Sequence, residues 1–320
     1  MRVLVTGATG FIGGALCNAL AEAGHTVRVA LRRDGPTPAG VTERSVVGDI
    51  STSTDWKAAL SGVDAVVHAA ARVHVLRDAA DKASLYMETN AYATRRLAEA
   101  AGREAVRRFV YLSSIKVNGE ETAGHAYLPS DVPHPRDAYG KSKMHGEIAV
   151  LEVARMSGME AAIVRPPLVY GPGVRANFLR LLRWVDKEWP LPLAAVNNRR
   201  SLVSIWNLCD LLVRLLDDPL LPARTWLVSD AEDLSTAELL RRIGVAMERR
   251  VRLVPVPPAL LRSLATLLGR RAEAARLCGS LTVDISQTRE ALGWTPPVMV
   301  DEALRRTTHW YLSKGRSRVS

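Results

Sequence analysis

Two short segments hold side chains that could couple a proton transfer to hydride movement. Tyr139-Gly140-Lys141-Ser142-Lys143 places a phenol and an ammonium at i and i+4, on one face of a helix. Ser113-Ser114 closes an apolar run, Phe109–Leu112. A phenol at its ordinary pKa of ~10 is a poor acid or base at neutral pH. A nearby ammonium favours the phenolate, so the spacing predicts that Lys143 pulls the Tyr139 pKa down. Tyr139 then passes a proton to or from a carbinol oxygen, and Ser114 hydrogen-bonds the same oxygen. Ser114, Tyr139 and Lys143 are the candidate catalytic residues.

Such chemistry needs a hydride carrier, and the N-terminus offers a place for one. Val5-Thr6-Gly7-Ala8-Thr9-Gly10-Phe11-Ile12-Gly13 sets three glycines, spaced GxxGxxG, between a strand pattern and a helix pattern. There a dinucleotide pyrophosphate meets backbone N–H groups and the positive end of a helix dipole. Gly7 makes the tight turn, Gly10 lets backbone approach phosphate, and Gly13 allows close helix–strand packing. About 20 residues on, an acid at the end of the second strand would bind both ribose hydroxyls of NAD. Leu31 stands there instead, followed by Arg32 and Arg33. A guanidinium clamps a 2′-phosphate that a carboxylate would repel, so NADP(H) is favoured, with NAD(H) possible.

The elements that position these residues follow from hydrophobic periodicity. Arg2–Thr6, Thr26–Leu31, Ser45–Val47, Ala65–His68, Phe109–Leu112 and Ala161–Arg165 read as buried strands. Phe11–Ala23, Lys82–Ala101 and Tyr139–Ser157 read as helices between them. Continuous apolar strands alternating with helices predict an α/β fold, a Rossmann-type doubly wound parallel sheet. After Pro166-Pro167 the pattern loosens, with strands at Leu202–Ile205 and Thr225–Val228 and helices at Thr236–Arg249 and Pro258–Leu268. We expect residues 1–170 to form the dinucleotide-binding domain with the Tyr/Lys helix, and 171–320 to be mainly a smaller substrate-binding portion. The stretch Leu260–Leu268, interrupted by Arg262, is expected to pack rather than anchor a membrane. The tail Lys314–Ser320 is expected to fray. Cys17, Cys209 and Cys278 form no CxxC pair, so neither a disulfide framework nor a metal site is expected. The chain enters a strand pattern at once and shows no signal-peptide pattern or transmembrane run, and a cytoplasmic location is expected.

Taken together, Thr6 to Gly13, Gly48-Asp49, His68-Ala69-Ala70-Ala71, Asn90, Leu112-Ser113-Ser114, Tyr139/Lys143 and Arg165-Pro166-Pro167-Leu168-Val169-Tyr170-Gly171-Pro172 resemble the extended short-chain dehydrogenase/reductase family. The motifs keep the family's order and spacing. The resemblance implies that Asp49 and Ile50 flank the adenine and that Ala69 and Ala70 line the cofactor. Thr9, Phe11, Ile12, Asn90 and Pro166 join the cofactor set, and Lys143 also holds the nicotinamide ribose. Asn177-Phe178-Leu179 and Arg199-Arg200-Ser201 resemble the diphosphate-binding segments of nucleotide-sugar epimerases. Val283-Asp284-Ile285-Ser286 through Leu292-Gly293-Trp294 is similar to their C-terminal segment. Ser114, Lys116, Asn177 and Arg200 are the expected substrate-binding residues.

One departure narrows the activity. Nucleotide-sugar 4,6-dehydratases follow the Ser/Thr with an Asp-Glu pair; here Ile115 and Lys116 stand there, and water elimination lacks its acid–base pair. Two activities remain. The favoured one is NADPH-dependent reduction of the 4-keto group of a UDP-4-keto-6-deoxy-N-acetylhexosamine in surface-polysaccharide synthesis. The alternative is an NAD-dependent UDP-sugar 4-epimerase acting on UDP-N-acetylglucosamine or UDP-glucose. A catalytically silent dinucleotide sensor on the same fold is a third class. The net charge of +10, from 36 arginines and seven lysines against 33 acids, suggests an anionic partner. The scattered arginines and 5% aromatics argue against nucleic acid. The resemblance also implies a homodimer built on the Lys82–Ala101 and Tyr139–Ser157 helices.

Overall fold

The computed structural model describes residues 1–73, 82–218, 224–269 and 271–315. Of the tail expected at Lys314–Ser320, residues 316–320 lie outside them, and the first two belong to a π-helical turn at Tyr311–Gly315. The strands are β1 (Arg2–Thr6), β2 (Thr26–Leu31), β3 (Glu43–Val46), β4 (Ala65–His68), β5 (Arg108–Leu112), β6 (Glu160–Arg165), β7 (Leu168–Tyr170), β8 (Arg200–Ser204), β9 (Arg224–Leu227) and β10 (Asp233–Leu234). Seven of them form one parallel sheet in the order β3-β2-β1-β4-β5-β6-β9. Every residue of β4 and β5 is buried, as a parallel strand covered on both faces requires. The strand expected near Thr225–Val228 completes this main sheet rather than the smaller portion. β7, β8 and β10 form a second, three-stranded sheet.

Helices cover both faces. They are α1 (Phe11–Glu22), α2 (Lys57–Leu60), α3 (Lys82–Met87), α4 (Ala93–Arg103), α5 (Ala138–Ser157), α6 (Ala176–Asp186), α7 (Ile205–Asp217), α8 (Thr236–Met247), α9 (Pro258–Leu267), α10 (Arg271–Cys278), α11 (Ser286–Leu292) and α12 (Val300–Trp310). Leucines of α1 and α7 pack on one side of the main sheet, and apolar residues of α4 and α5 on the other. α6, α8 and α12 surround a further core, and Phe11 and Trp206 touch both it and the α1/α7 core.

Two helices depart from the periodicity. The helix expected over Lys82–Ala101 is broken by a π-helical turn at Glu88–Tyr92, which holds Asn90. The wider turn turns Asn90 inward, and such turns often mark functional positions. No residue of α9 is fully buried, but Leu261 packs on the core shared by α6, α8 and α12, as expected, while the other leucines of the helix stay largely exposed. All three cysteines are buried and unpaired.

β1 lies between β2 and β4, so the strand order reverses beside it. The crevice beyond the carboxyl ends of β1 and β4 is the place where doubly wound sheets bind ligands.

Candidate active site

Local hydrogen bonding places the catalytic side chains. Asp137 caps α5, its carboxylate accepting from the Gly140 N–H at 2.7 Å. That cap starts the helix so that Tyr139 lies in its first turn and Lys143 one turn further on. Ser114 follows β5 and caps the 3₁₀ turn Ile115–Val117, its Oγ accepting from the Lys116 N–H at 3.3 Å. The Ser114 hydroxyl lies near enough to the Tyr139 phenol to favour its ionised form. The Tyr86 ring meets Tyr139 edge-on, with centroids 6.0 Å apart.

The electrostatics differ from the sequence expectation. Lys143 is 1% exposed, and its Nζ sits 4.0 Å from the Tyr111 ring centroid. Among the described residues Nζ has no hydrogen-bond partner. Burial pushes the Lys143 pKa down to about 7, with Glu147 opposing. Burial likewise pushes Tyr139 up to about 12; Asp137 and Tyr86 add to this, and the Ser114 hydroxyl opposes it. Crowding penalises the charged form of both groups, and the expected phenolate is not what this environment favours. Tyr139 rests as a phenol.

A buried network backs the site. Glu147, at i+4 from Lys143, takes two bonds from Arg165: Nε to Oε1 at 2.8 Å and Nη2 to Oε2 at 2.6 Å. Arg165 Nη1 donates to Asn118 Oδ1 at 3.0 Å, and the Ser113 hydroxyl donates to Glu147. His68 bridges Thr6 and Thr94 at 2.7 and 3.0 Å. Burial pushes its pKa to about 3, with Lys143 adding to the effect, so the ring is neutral. Asn90 accepts from the Arg72 N–H at 2.8 Å and donates to the Arg72 carbonyl and Ser142 Oγ, each at 3.0 Å. Its amide thus pins the loop after β4 to α5.

The glycine loop is packed tightly. Gly7 has φ +72°, and a Cβ there would lie 2.7 Å from the Ala70 nitrogen. A Cβ on Gly13 would lie 2.2 Å from the Gly7 carbonyl oxygen. Gly10 caps α1 without a side-chain bond, leaving first-turn N–H groups for an anion. Thr9 is exposed in the same turn, and Ala69 and Ala70 lie beside it. Past the ends of β2 and β3, Arg32 pairs with Asp49 at 2.6 Å, both largely exposed. Arg33 is exposed and makes no ion pair among the described residues. Ile50 packs on the core under α4, and the Pro166 carbonyl accepts from the Ile115 N–H at 3.0 Å. The orphaned Lys143 ammonium, the uncapped helix and glycines that admit no Cβ fit a bound dinucleotide.

The remaining candidates are those expected to bind substrate. Lys116 pairs with Asp137 and, at 3.1 Å, with Glu120. Asn177, in the first turn of α6, accepts from Arg180 at 3.1 Å. Arg200 donates to the Gly279 carbonyl at 3.0 Å. Burial lowers the Arg200 pKa, with the charge of Arg276 adding to this and that of Glu121 opposing.

Sequence reasoning assigned no role to Glu147, Arg165, Asp137 or Tyr111. The first could have been found: Tyr139, Lys143 and Glu147 recur every fourth residue on one helix face.

Fold and site together define a Rossmann-fold enzyme of the short-chain dehydrogenase/reductase type. The chain belongs to the NAD-dependent epimerase/dehydratase family, whose pattern it matches over residues 3–225. A Vibrio cholerae protein named UDP-glucose 4-epimerase is 42% identical over 97% of this chain and 95% of its own length. MoeE5, solved in complex with UDP-glucose and NAD, superposes with a TM-score of 0.79 at 26% identity, covering all of both chains. The UDP-N-acetylglucosamine 4-epimerase of Bacillus cereus shares the fold, with a TM-score of 0.78 at 22% identity over 97% of this chain and 98% of its own.

Proposed function

We propose that this enzyme is a UDP-hexose 4-epimerase that retains NAD(H) between turnovers. The observation that carries this is the 42% identity, across nearly the whole chain, with a protein named UDP-glucose 4-epimerase. It shifts the weight from the ketoreductase, which the Leu31-Arg32-Arg33 strand end had favoured, to the epimerase.

In the mechanism Ser114, Tyr139 and Lys143 handle the substrate C4 hydroxyl. Ser114 holds its oxygen and Tyr139 Oη exchanges its proton. When bound, the nicotinamide supplies reversible hydride acceptance. Tyr139 rests protonated, so it is ready to donate to a 4-keto oxygen; accepting the hydroxyl proton requires its phenolate. A ligand hydroxyl at the bare Lys143 Nζ would hold that ammonium charged, and the charge then favours the phenolate. The residues thus reach working protonation states only in the assembled site. Ile115 and Lys116 provide no carboxylates for elimination, so the 4-keto sugar is returned rather than dehydrated. Arg200 and Asn177, both in the smaller portion, are assigned to the diphosphate.

One observation favours a second reading, an NADPH-dependent 4-ketoreductase. Arg33 is exposed and uncommitted at the position that would meet a 2′-phosphate. Against it, Arg32 is held by Asp49, whose charge would repel that phosphate. We further propose a homodimer on α3–α5, where Leu85, Tyr92, Ile148 and Met156 are exposed; a monomeric mass in light scattering would count against it.

The test is to incubate enzyme with UDP-glucose or UDP-N-acetylglucosamine without added dinucleotide, and separately with UDP-4-keto-6-deoxy-N-acetylglucosamine plus NADPH. Conversion to the C4 epimer in the first supports the epimerase. NADPH consumption in the second alone supports the reductase. Neither outcome, with dinucleotide still bound, supports the silent sensor.

A further inference from the structure

We propose that α9 docks this enzyme on an anionic phospholipid bilayer, lying in the membrane interface with a leucine stripe inserted. The helix has three distinct faces. Leu261 packs against the core beneath α8 and α12. Arg262, Ser263 and Thr266 line a cavity of about 350 Å³ together with Glu121 and Ala275. The third face serves neither the core nor the cavity. It carries Leu260, Leu264, Leu267 and Leu268, which are 50%, 48%, 84% and 73% exposed. Their i, i+4, i+7, i+8 spacing makes one continuous stripe. Single exposed leucines are ordinary on a protein surface, but an aligned row of four marks a contact.

The charge of the chain that leads into the helix selects the occupant. From Arg249 through Gly269 the chain contains four arginines and no carboxylate. Arg249 is paired with Asp186, and Arg262, on the cavity face, donates to the Cys278 carbonyl, whereas the guanidiniums of Arg250 and Arg252 are exposed and pair with no carboxylate among the described residues. Val254, between these arginines and the helix, is 45% exposed. A second copy carries the same basic segment and offers it no anion. A nucleic acid would meet the arginines and leave the leucines in water. An anionic bilayer answers both, accepting an apolar stripe below the headgroups and guanidiniums among the phosphates. Among the described residues no helix is long and apolar enough to cross a membrane, so the association is with the surface.

The test is flotation of the full chain with vesicles of equal parts phosphatidylglycerol and phosphatidylcholine, and with phosphatidylcholine alone. The wild type floats with the anionic vesicles and much less with the neutral ones. Leu267→Gln/Leu268→Gln, at the two most exposed positions of the stripe, lowers partitioning by roughly tenfold or more. Arg250→Gln/Arg252→Gln lowers it by roughly tenfold and weakens its salt dependence. Unchanged melting curves show that both variants fold. Absence of flotation with anionic vesicles overturns the proposal, as does flotation that the leucine pair does not affect. A loss of dimer mass in the leucine variant, measured without vesicles, also overturns it by assigning the stripe to a second copy.

Discussion

Replacing Lys143 by methionine should stabilise the free enzyme while removing its activity. The side chain is 1% exposed, and its ammonium meets only the Tyr111 ring, with no hydrogen-bond partner among the described residues. Depression of its pKa from 10.5 to about 7 corresponds, at ~1.36 kcal/mol per pH unit, to an upper bound of roughly 5 kcal/mol for burying the charge. Methionine fills nearly the same volume, replaces the cation–π contact with a sulfur–aromatic one, and leaves Glu147 held by Arg165. Part of the bound is lost to relaxation around the ammonium, and a gain of about 2 kcal/mol is expected. For a chain of this size that is a Tm rise of roughly 3 °C. The sign with pH is distinctive. The unfolded lysine binds a proton below 10.5 and the folded one only below about 7, so wild-type stability rises with pH between those values. Lys143→Met lacks this slope; its advantage is full at and below pH 7 and shrinks toward pH 10.5. The assay is thermal unfolding of both proteins, freed of dinucleotide, at matched scan rates from pH 6 to 10. A variant less stable than wild type at pH 6, or an advantage independent of pH, would refute the reasoning.

Tyr139→Phe keeps the ring packing against Tyr86 and should lower turnover by ~10²–10⁴-fold while dinucleotide binding stays nearly intact, as steady-state rates and cofactor titration will show. Glu147→Gln leaves Arg165 without its buried counter-charge; urea unfolding should record a loss of about 3–5 kcal/mol. Gly13→Ala sets a Cβ 2.2 Å from the Gly7 carbonyl oxygen, so the phosphate turn must open. Titration should show dinucleotide affinity reduced on the order of tenfold or more.

β1, β2, β4, β5 and β6 were legible because a parallel strand covered on both faces is a largely apolar run; β3 was misjudged, since the buried strand expected at Ser45–Val47 is an edge strand, Glu43–Val46, whose residues are partly or fully exposed. The Gly7–Gly13 turn and the Tyr139/Lys143 pair were legible because sequence-local geometry brings their members together. The state of Lys143 was not, because it depends on where Tyr111 from β5 lies under the α5 face. Spacing alone suggested that the ammonium serves Tyr139, while tertiary packing aims it at a ring. The π turn at Glu88–Tyr92 was hidden for a related reason. Asn90 is turned inward by bonds to Arg72 and Ser142, both distant in sequence. For α9 the periodicity correctly marked an apolar face, but periodicity does not say what covers it. The pairing of Arg32 with Asp49 likewise arises only when the ends of β2 and β3 come together.

The central claim is that hydride leaves and returns to the same carbon of a UDP-hexose within one site. It is tested most directly with UDP-glucose deuterated at C4, followed by mass and NMR analysis of the UDP-galactose formed. The account predicts that deuterium is retained at C4 in the epimerised product, with no dinucleotide added and none consumed. Loss of the label to solvent, or inversion only when NADPH is supplied and oxidised, would contradict it.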